Sequence, residues 1–252
     1  MAQGRGEPDR NPRRVARSSA TSDRSIRCVS TYENLARERG YTCIAGVDEV
    51  GRGSLFGPVF AAAVVLNPER PIRGLKDSKV LDAGERADLA AEIQRKCLGW
   101  AVGAADAFEI DQINIYQASR LAMRRAVEAL ALRPDYLLID ALKIDVPIAQ
   151  EPLIDGDARC RAIAAASIVA KVLRDACMGR WQAIFPAYNL ASNKGYSTPD
   201  HRKALWEHGP TALHRFSFEP VRMSCREVWW SGYRGDAAQQ DLFAETAVGG
   251  GA

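Results

Sequence analysis

The sequence has few histidines, and its cysteines are not spaced as metal ligands or as a redox pair. Only three His occur among the 252 residues, and the six Cys are scattered without a C-x-x-C pair. These absences argue against zinc-binding and thioredoxin-like motifs, which need such residues at short spacing. We therefore expect reduced cysteines that pack inside the protein, and no chemistry from His201, His208 or His214.

Long hydrophobic stretches are also missing. The longest apolar run, Val59 to Leu66, has eight residues, whereas a helix that crosses a bilayer needs about 20. The N-terminus is rich in Arg, Ser and Gly and shows no apolar segment of the kind that directs secretion. The sequence therefore predicts a cytoplasmic protein without a membrane span.

Net charge is small and unevenly distributed. The whole chain carries +3, but residues 1–28 contain seven Arg against Glu7, Asp9 and Asp23, so this segment is +4 and the remainder −1. Segment 1–28 also lacks apolar periodicity, so ordering it would cost backbone entropy with little burial in return. We expect a disordered basic arm over 1–28, and any hypothesis of nucleic-acid binding has to depend on where basic residues cluster.

The rest of the chain alternates strand-like and helix-like segments, which is typical of an α/β domain. Apolar runs predict strands, and helical spacing predicts helices, one of which begins with a possible capping box from Asp82 to Glu85. The predicted strands cover 41–47, 59–66, 99–105, 135–141 and 146–154, and the predicted helices cover 32–39, 83–97, 110–130 and 158–181. We expect one domain over 29–228 that ends in a helical region, followed by a flexible tail over 229–252.

Four acidic residues fall at the ends of predicted elements. Asp48 and Glu49 follow the first strand, Asp140 ends the apolar strand YLLID, and Asp157 precedes a helix. Because the carboxyl ends of strands in α/β sheets border the usual ligand crevice, we expect Asp48 and Asp140 to meet in one cleft. Glu49 can serve the same site only if the strand ends there and the glycine turn redirects the backbone. Clustered carboxylates repel each other unless a counter-charge is present, and Mg²⁺ or Mn²⁺ supplies one. Two such ions about 4 Å apart would suit in-line phosphoryl displacement.

Each acid also has a purely structural explanation, and composition does not decide between that role and metal binding. Asp157 is equally suited to cap the helix that follows it. Asp140 is suited to end a strand in a turn, and Asp48 to organise the glycine turn that comes next. Asp175, which adjoins Arg174, is interpreted as part of a structural ion pair.

Seven sequence blocks resemble, in their order and spacing, bacterial ribonuclease HII, the type 2 ribonuclease H. They are AGVDEVGRG (45–53), GLKDSK (74–79), LLIDA (137–141), GDAR (156–159), AAASIVAKVLRD (164–175), NKGYSTPDHRKAL (193–205) and HRFSFEPV (214–221). The resemblance covers about residues 32–222. It implies a ribonuclease H-like mixed β-sheet flanked by helices, with a C-terminal helical region. It also implies hydrolysis of RNA in RNA–DNA hybrids and at single ribonucleotides in duplex DNA.

The resemblance further implies roles for individual residues. Asp48, Glu49, Asp140 and Asp157 match the family's four catalytic carboxylates. They would hold two Mg²⁺ or Mn²⁺ ions, and cleavage would fall 5′ of the ribonucleotide, leaving 5′-phosphate and 3′-hydroxyl ends. The matches to substrate contacts are Gly51, Arg52 and Gly53 at the ribonucleotide 2′-hydroxyl and junction phosphates, Ser78 and Lys79 at phosphate, and Tyr196 at the sugar that follows the ribonucleotide. Glycine permits close approach to the 2′-hydroxyl, the group that distinguishes RNA from DNA.

Two positions depart from the family pattern. Ser54 stands where a proline commonly follows GRG, and Asp155 stands where a lysine often precedes the G-D pair. The added negative charge near Asp157 is expected to increase carboxylate repulsion, alter metal preference or weaken phosphate binding.

Two other classes of function stay open as alternatives. Type 3 ribonuclease H normally carries an N-terminal substrate-binding domain, for which the 31 residues before Tyr32 are too few. A nucleic-acid-binding module without catalysis would tolerate loss of an acid, whereas all four acids are present. A metal-dependent endonuclease therefore agrees best with the sequence.

The C-terminal tail contains a short peptide that resembles a known ligand. Residues 239–243 have the form Q-x-D-L-F, which is similar to the peptide by which many bacterial replication and repair proteins bind the sliding clamp. Two apolar side chains on a tether can fill a pocket while the glutamine fixes the register. A chance match to five residues is the alternative. The resemblance implies Gln239, Asp241, Leu242 and Phe243 as partner-binding residues.

Overall fold

A five-stranded mixed sheet forms the centre of the protein, seen in a computed structural model that describes Met1 and residues 28–225. The strand order is β3-β2-β1-β4-β5. The strands are β1 Ile44–Val50, β2 Val59–Val65, β3 Gly99–Ala105, β4 Tyr136–Asp140 and β5 Ala149–Leu153. β2 is antiparallel to β1 and β3, whereas β4 is parallel to β1 and β5. The predicted mixed sheet is confirmed.

Helices cover both faces of this sheet. They are α1 Thr31–Glu38, α2 Ala83–Lys96, α3 Ala107–Glu128, α4 Gly156–Arg159, α5 Arg161–Ile184, α6 Leu190–Asn193 and α7 Pro199–His208. Short 3₁₀ helices span Ser78–Val80 and Pro186–Tyr188, and a further helical segment occupies 219–225. Within the described part of the chain, no helix is long and apolar enough to cross a membrane. Helices α6 and α7 and segment 219–225 form the predicted C-terminal helical region.

Side-chain alternation along β2 divides the core into two layers. Ala61 and Ala63 face α3, where they are buried in one cluster with Met123. Val64 faces the opposite way and is buried in a second cluster with Ile168 of α5. Both faces of the sheet are covered, which explains why its central strands are nearly continuous apolar runs in the sequence.

Small residues allow α5 to lie directly on β1. A Cβ added at Gly46 would stand 2.1 Å from the carbonyl carbon of Ala162, so only glycine fits there. The Ala-rich segment of α5 thus approaches β1 closely. Since α5 also carries Ser167 and Arg174, this packing sets how near those two side chains come to β1 and to the turn that follows it.

The first strand is longer than predicted, which changes the position of two acids. β1 continues to Val50, because its antiparallel pairing with β2 extends as far as Val50 and Phe60. Asp48 and Glu49 therefore lie within the strand, and the prediction that they follow it is wrong. Since consecutive strand residues point to opposite faces, the two side chains leave β1 on opposite sides of the sheet.

Two helices also differ from prediction. The long central helix begins three residues earlier, at Ala107, because Asp106 and Glu109 form a capping box. The helix predicted over 158–181 is divided, because Cys160 is extended between α4 and α5. The capping box predicted at the start of α2 is confirmed.

The C-terminal region packs against residues 54–57, the segment between the glycine turn and β2. Phe56 is fully buried in an apolar cluster that includes Met178. The main chain of the same segment pairs with Tyr196 and with His214. These contacts fix the turn that follows β1 relative to the C-terminal region.

Candidate active site

The four acids singled out in the sequence lie at one edge of the sheet. Asp48 and Glu49 are on β1, and Asp140 ends the adjacent parallel strand β4. Asp157 is in α4, just after β5. The carboxyl ends of three neighbouring parallel strands thus direct these residues to the crevice where α/β sheets bind ligands.

Asp48 lies deepest at this edge. It is 5% exposed, and its Oδ1 accepts a hydrogen bond from the Glu49 backbone N–H at 2.7 Å. Burial, followed by the charges of Glu49 and Asp140, raises the pKa of Asp48 well above its ordinary range. The Ser167 hydroxyl opposes that shift as a hydrogen-bond partner. Ionised Asp48 is therefore held in a place that favours the neutral form unless a counter-charge is supplied.

Asp140 lies close to both acids of β1. Its charge raises the pKa of Asp48 and the pKa of Glu49, although their side chains leave the strand on opposite faces. Burial also raises the pKa of Asp140, with a further contribution from Asp157. The Gly156 N–H opposes this shift by donating to Oδ1 at 2.8 Å. Asp140 therefore connects β1 to α4.

Asp157 faces the cluster from α4 and has a basic partner. It is 6% exposed, and its Oδ2 accepts a hydrogen bond from Lys79 Nζ at 2.9 Å. This hydrogen bond raises the pKa of Lys79. The helix-capping explanation for Asp157 is wrong, because Asp155 occupies the N-cap of α4 and Asp157 lies in its first turn.

Asp155, one of the two departures from the family pattern, is the N-cap of α4 and precedes Asp157 by two residues. The residue is exposed and has a left-handed backbone, with φ of 54°. Its charge nevertheless contributes to the raised pKa of Asp140. The added acid therefore acts on the cluster through electrostatic repulsion from its rim.

Glu49 keeps one oxygen without a partner. Its Oε1 accepts a hydrogen bond from Arg52 Nη1 at 3.2 Å, whereas Oε2 is buried and makes no hydrogen bond. Burial raises the pKa of Glu49, and the Arg52 charge opposes the shift. A buried unpartnered oxygen costs about 1–3 kcal/mol, so a cation at this position would remove a penalty.

The acidic edge fits a hard divalent cation by its chemistry. All donors are carboxylate oxygens, three of the four acids have raised pKa values, and one oxygen lacks a partner. Such ligands suit Mg²⁺ or Mn²⁺. Within residues 28–225, no three His, Cys, Asp or Glu side chains are already arranged as ligands of one ion. Lys79 engages Asp157 and Gly156 engages Asp140, so a bound cation would compete with these donors.

The glycine turn after β1 has one side packed and one side open. Gly51 has φ of +92°, and a Cβ there would stand 2.2 Å from Arg174 Nε. A Cβ at Gly53 would meet nothing within 4 Å. Arg52 between them is exposed, and its carbonyl accepts a hydrogen bond from Arg215 Nη1 at 2.8 Å. Gly51 is thus required by internal packing, whereas Gly53 leaves room for close approach from outside.

Tyr196 lies beside this turn and is only half-buried. Its backbone pairs with Ser54, the residue after the turn. The ring lies 5.5 Å from Arg174 Cζ and 5.8 Å from Lys171 Nζ, both on α5. This partly open position differs from that of a core aromatic residue, which would be fully buried.

Ser78 and Lys79 border the acidic edge. Ser78 is 5% exposed, and its hydroxyl is 2.9 Å from that of Ser167, the residue that also contacts Asp48. The ammonium of Lys79 is bonded to Asp157. Both side chains are therefore engaged within the protein, and their contacts with phosphate stay predictions.

Two arginines beneath the glycine turn are absent from the sequence-based site. Arg174 and Arg215 are both fully buried. Asp175 does form an ion pair, as predicted, but with Lys171 at 2.8 Å, and Arg174 points elsewhere. No local sequence signal marks them, because residues that they contact, such as Arg52 and Pro58, lie far away along the chain.

The predicted clamp-binding peptide lies outside the described residues. This applies to Gln239, Asp241, Leu242 and Phe243, and also to residues 2–27 of the predicted basic arm. The proposed domain boundaries at 28 and 229 fall at or beyond the limits of the described segment. These expectations therefore stay predictions, whereas the four acids, the glycine turn and Tyr196 have known positions.

Proteins of known family resemble this chain over most of its length. A family model described as Ribonuclease HII matches residues 45–221. A protein named ribonuclease HII from Solibacter usitatus (strain Ellin6076) is 58% identical over 201 residues, which cover 80% of this chain and 88% of the relative. All four acids and the glycine turn fall inside the matched segment.

Solved structures share the fold. The ribonuclease H2 of Pyrococcus horikoshii OT3 aligns with a TM-score of 0.64 at 23% identity and covers 77% of this chain and 100% of its own. The ribonuclease HII of Archaeoglobus fulgidus, solved in complex with PCNA, aligns with a TM-score of 0.61 at 26% identity and covers 71% and 96%. With the family match, these likenesses establish that the chain belongs to the ribonuclease HII family and is a ribonuclease H, an endonuclease that acts on the RNA of RNA–DNA hybrids.

Proposed function

We propose that the protein also incises duplex DNA on the 5′ side of a single embedded ribonucleotide. The products would carry a 5′-phosphate on the ribonucleotide and a 3′-hydroxyl on the preceding nucleotide. The observation that carries this proposal is the position of the acidic edge directly beside the glycine turn and Tyr196. A cleavage centre and a surface suited to reading one sugar are therefore adjacent.

We assign Asp48, Glu49, Asp140 and Asp157 as ligands of two Mg²⁺ or Mn²⁺ ions. Such ions, when bound, favour ionisation of a water molecule and stabilise the charge on the departing 3′-oxygen. The protein supplies an oxygen-only ligand set, and the raised pKa values of Asp48, Glu49 and Asp140 support a need for a counter-charge. The unpartnered Oε2 of Glu49 supports the same assignment.

The glycine turn and Tyr196 would recognise the RNA-to-DNA junction. Open space at Gly53 lets the backbone approach the 2′-hydroxyl, the group that DNA lacks. Exposed Arg52 would contact a junction phosphate, and the open face of Tyr196 would pack on the following sugar. Lys79 would contact phosphate after leaving Asp157.

A single substitution tests the catalytic assignment. Asp48→Asn keeps the size of the side chain but removes its charge, so we expect cleavage of a duplex with one ribonucleotide to fall about 10³-fold, because several kcal/mol of transition-state stabilisation are lost. Asp88→Asn is the matched control, since Asp88 is exposed on α2 and lies outside the acidic edge, and should retain near-normal cleavage. Near-normal cleavage by Asp48→Asn would refute the assignment.

A second candidate function is binding to the bacterial sliding clamp through the C-terminal tail. The Q-x-D-L-F form of residues 239–243 favours it, and the Archaeoglobus fulgidus relative was solved with PCNA. Leu242→Ala combined with Phe243→Ala should weaken clamp binding at least about 10-fold, as expected for loss of two apolar anchors. Thr246→Ala in the same tail is the control. Equal clamp binding by wild type and the double variant would remove this candidate.

A further inference from the structure

Arg174 is a buried cation that is held by neutral acceptors. Its residue is 0% exposed, and its guanidinium donates to Ser54 Oγ at 2.7 Å and to the carbonyls of Lys194 at 2.9 Å, Pro58 at 3.3 Å and Phe56 at 3.4 Å. Among the described residues, none of its hydrogen bonds goes to a carboxylate. A buried charge without a counter-ion is expensive, so this arrangement calls for an explanation.

The acceptors of Arg174 belong to both segments that are proposed to recognise the junction, the glycine turn and the loop that carries Tyr196. Ser54 directly follows the glycine turn, and Phe56 and Pro58 lead into β2. The carbonyl of Lys194 belongs to the loop that carries Tyr196, whose ring lies 5.5 Å from the guanidinium carbon. One side chain on α5 thus connects the turn that would read the 2′-hydroxyl to the tyrosine that would read the next sugar.

The backbone is shaped around this guanidinium. Gly51 and Gly195 both have positive φ, +92° and +80°. A Cβ at Gly51 would stand 2.2 Å from Arg174 Nε, and one at Gly195 would stand 3.0 Å from the Phe56 carbonyl oxygen, which is itself an acceptor of Arg174. The two loops therefore close on Arg174 in conformations that favour glycine.

A second buried guanidinium, that of Arg215, also holds the glycine turn. Arg215 is 0% exposed and donates to the carbonyls of Gly57 at 2.9 Å and Arg52 at 2.8 Å, while its Nη2 has no partner. Burial, and then the charge of Arg174, lowers the pKa of Arg215 to about 9. Two like charges thus lie beneath the surface at which the phosphate backbone is proposed to bind, and they favour an anion there.

We propose that Arg174 is the positioning residue for junction recognition and that Ser54 is its partner in this chain. Arg174 fixes the glycine turn and the Tyr196 loop as one unit, so that both contact the same ribonucleotide step. Ser54 stands where the family pattern commonly has proline, and its hydroxyl gives Nη2 an acceptor that a proline side chain lacks. This inference rests on the proposed incision at single ribonucleotides.

The experiment compares two substrates, a duplex with one ribonucleotide and a continuous RNA–DNA hybrid. We measure kcat and KM for each with wild type, Arg174→Met, Arg174→Lys and Ser54→Ala, with Arg180→Met on the exposed face of α5 as the matched control. Thermal unfolding with and without Mn²⁺ reports whether the acidic edge is intact. Loss of positioning should lower the preference for the single ribonucleotide, mainly through KM, and leave the Mn²⁺-induced rise in Tm unchanged.

We expect Arg174→Met to lower the ratio of kcat/KM on the single ribonucleotide to kcat/KM on the hybrid about 100-fold, and Ser54→Ala about 10-fold, since hydrogen bonds to a charged group are lost. Arg174→Lys should lie between Arg174→Met and wild type, because lysine keeps the charge but lacks the guanidinium fork. An unchanged ratio in Arg174→Met, or a wild-type ratio in Arg174→Lys, overturns the inference.

A second variant tests the proposal if Arg174→Met does not fold. If Arg174→Met unfolds, the ratio in Ser54→Ala decides, because this variant removes one hydrogen bond and keeps the guanidinium. A wild-type ratio in Ser54→Ala then overturns the inference. If wild type itself fails to incise the single-ribonucleotide duplex but cleaves the hybrid, the proposed function fails, and that result is distinct from loss of preference in the variants.

Discussion

The acidic edge and the proposed recognition unit contain buried charges of opposite sign that are stabilised in different ways. The recognition unit consists of the glycine turn, the Tyr196 loop and the two arginines buried beneath them, Arg174 and Arg215. Asp48, Glu49 and Asp140 repel one another and have raised pKa values. Arg174 and Arg215 also lie close enough to affect each other, but their donors are directed at backbone carbonyls and one hydroxyl. The first region is incomplete without a cation, whereas the second is largely satisfied by the protein itself.

This difference separates stability from function. Removing a charge at the acidic edge should relieve repulsion and stabilise the metal-free protein while it abolishes cleavage. Disturbing the recognition unit should destabilise the fold, because backbone carbonyls lose their donors. Active sites commonly accept such a cost where the chemistry requires unfavourable neighbours.

The largest effect on stability is expected in the recognition unit, from Gly51→Ala. A Cβ there meets Arg174 and the backbone has φ of +92°, so we expect a loss of about 3 kcal/mol in the free energy of unfolding. Gly53→Ala is the matched control, because its Cβ would meet nothing within 4 Å, and it should change stability by less than about 0.5 kcal/mol. Urea unfolding measures both, and equal losses would contradict the asymmetry of the turn.

Gly53→Ala should nevertheless affect activity. The new methyl group occupies the open side of the turn, where the 2′-hydroxyl is proposed to bind, so KM for the single-ribonucleotide duplex should rise about 10-fold, as expected when a polar contact is displaced. Steady-state kinetics on folded protein test this expectation. An unchanged KM would place the substrate elsewhere.

At the acidic edge, Asp48→Asn should have the opposite effect on stability. The folded-state pKa of Asp48 is raised, so the unfolded chain ionises first, and stability falls as pH rises above the unfolded pKa near 3.8. Near neutral pH, we expect the variant to gain about 2 kcal/mol, with Tm higher by about 4 °C. Thermal unfolding in EDTA measures the gain, and a lower Tm for the variant would contradict it.

The smallest effect involves the buried histidines of the recognition unit. His201 Nε2 lies 3.2 Å from His214 Nε2, and burial lowers the pKa of both rings, to about 3 for His214. Since the unfolded pKa is 6.5, the stabilisation is complete above that pH and is lost as pH falls toward 3. Between pH 7 and pH 5.5, the free energy of unfolding of His214→Gln should therefore fall by about 1 kcal/mol less than that of wild type.

Urea midpoints at several pH values measure this slope for wild type and His214→Gln. The acidic edge affects the slope with the opposite sign, since ionisation of its acids lowers the free energy of unfolding as pH rises. Identical slopes below pH 6.5 in wild type and variant would show that the histidine pair does not carry the acid sensitivity.

The sequence predicted which acids lie together better than it predicted the strand that carries two of them. Boundaries of β2, β3 and α2 agree with prediction to within a residue, because apolar runs and a capping box mark them locally. The end of β1 was missed because the glycine turn reads as a boundary, while pairing with β2 carries the strand further. Such pairing is tertiary information.

The recognition unit could not be predicted for a related reason. Arg174 and Arg215 are charged, and charged residues are ordinarily exposed. Their burial depends on carbonyls from segments more than one hundred positions away along the chain, such as Arg52 and Pro58. The motifs located the chemistry, whereas the side chains that hold the motifs in place became visible only with the fold.

The most direct test of the acidic edge is Mn²⁺ binding, measured by electron paramagnetic resonance as loss of the free-ion signal. Wild type should bind Mn²⁺, and Asp140→Asn should bind it at least about 10-fold more weakly, because Asp140 lies near every other acid of the cluster. Asp88→Asn, a change on the exposed side of α2, should bind Mn²⁺ like wild type. Equal Mn²⁺ affinity in wild type and Asp140→Asn would contradict the claim that these carboxylates form one cation site.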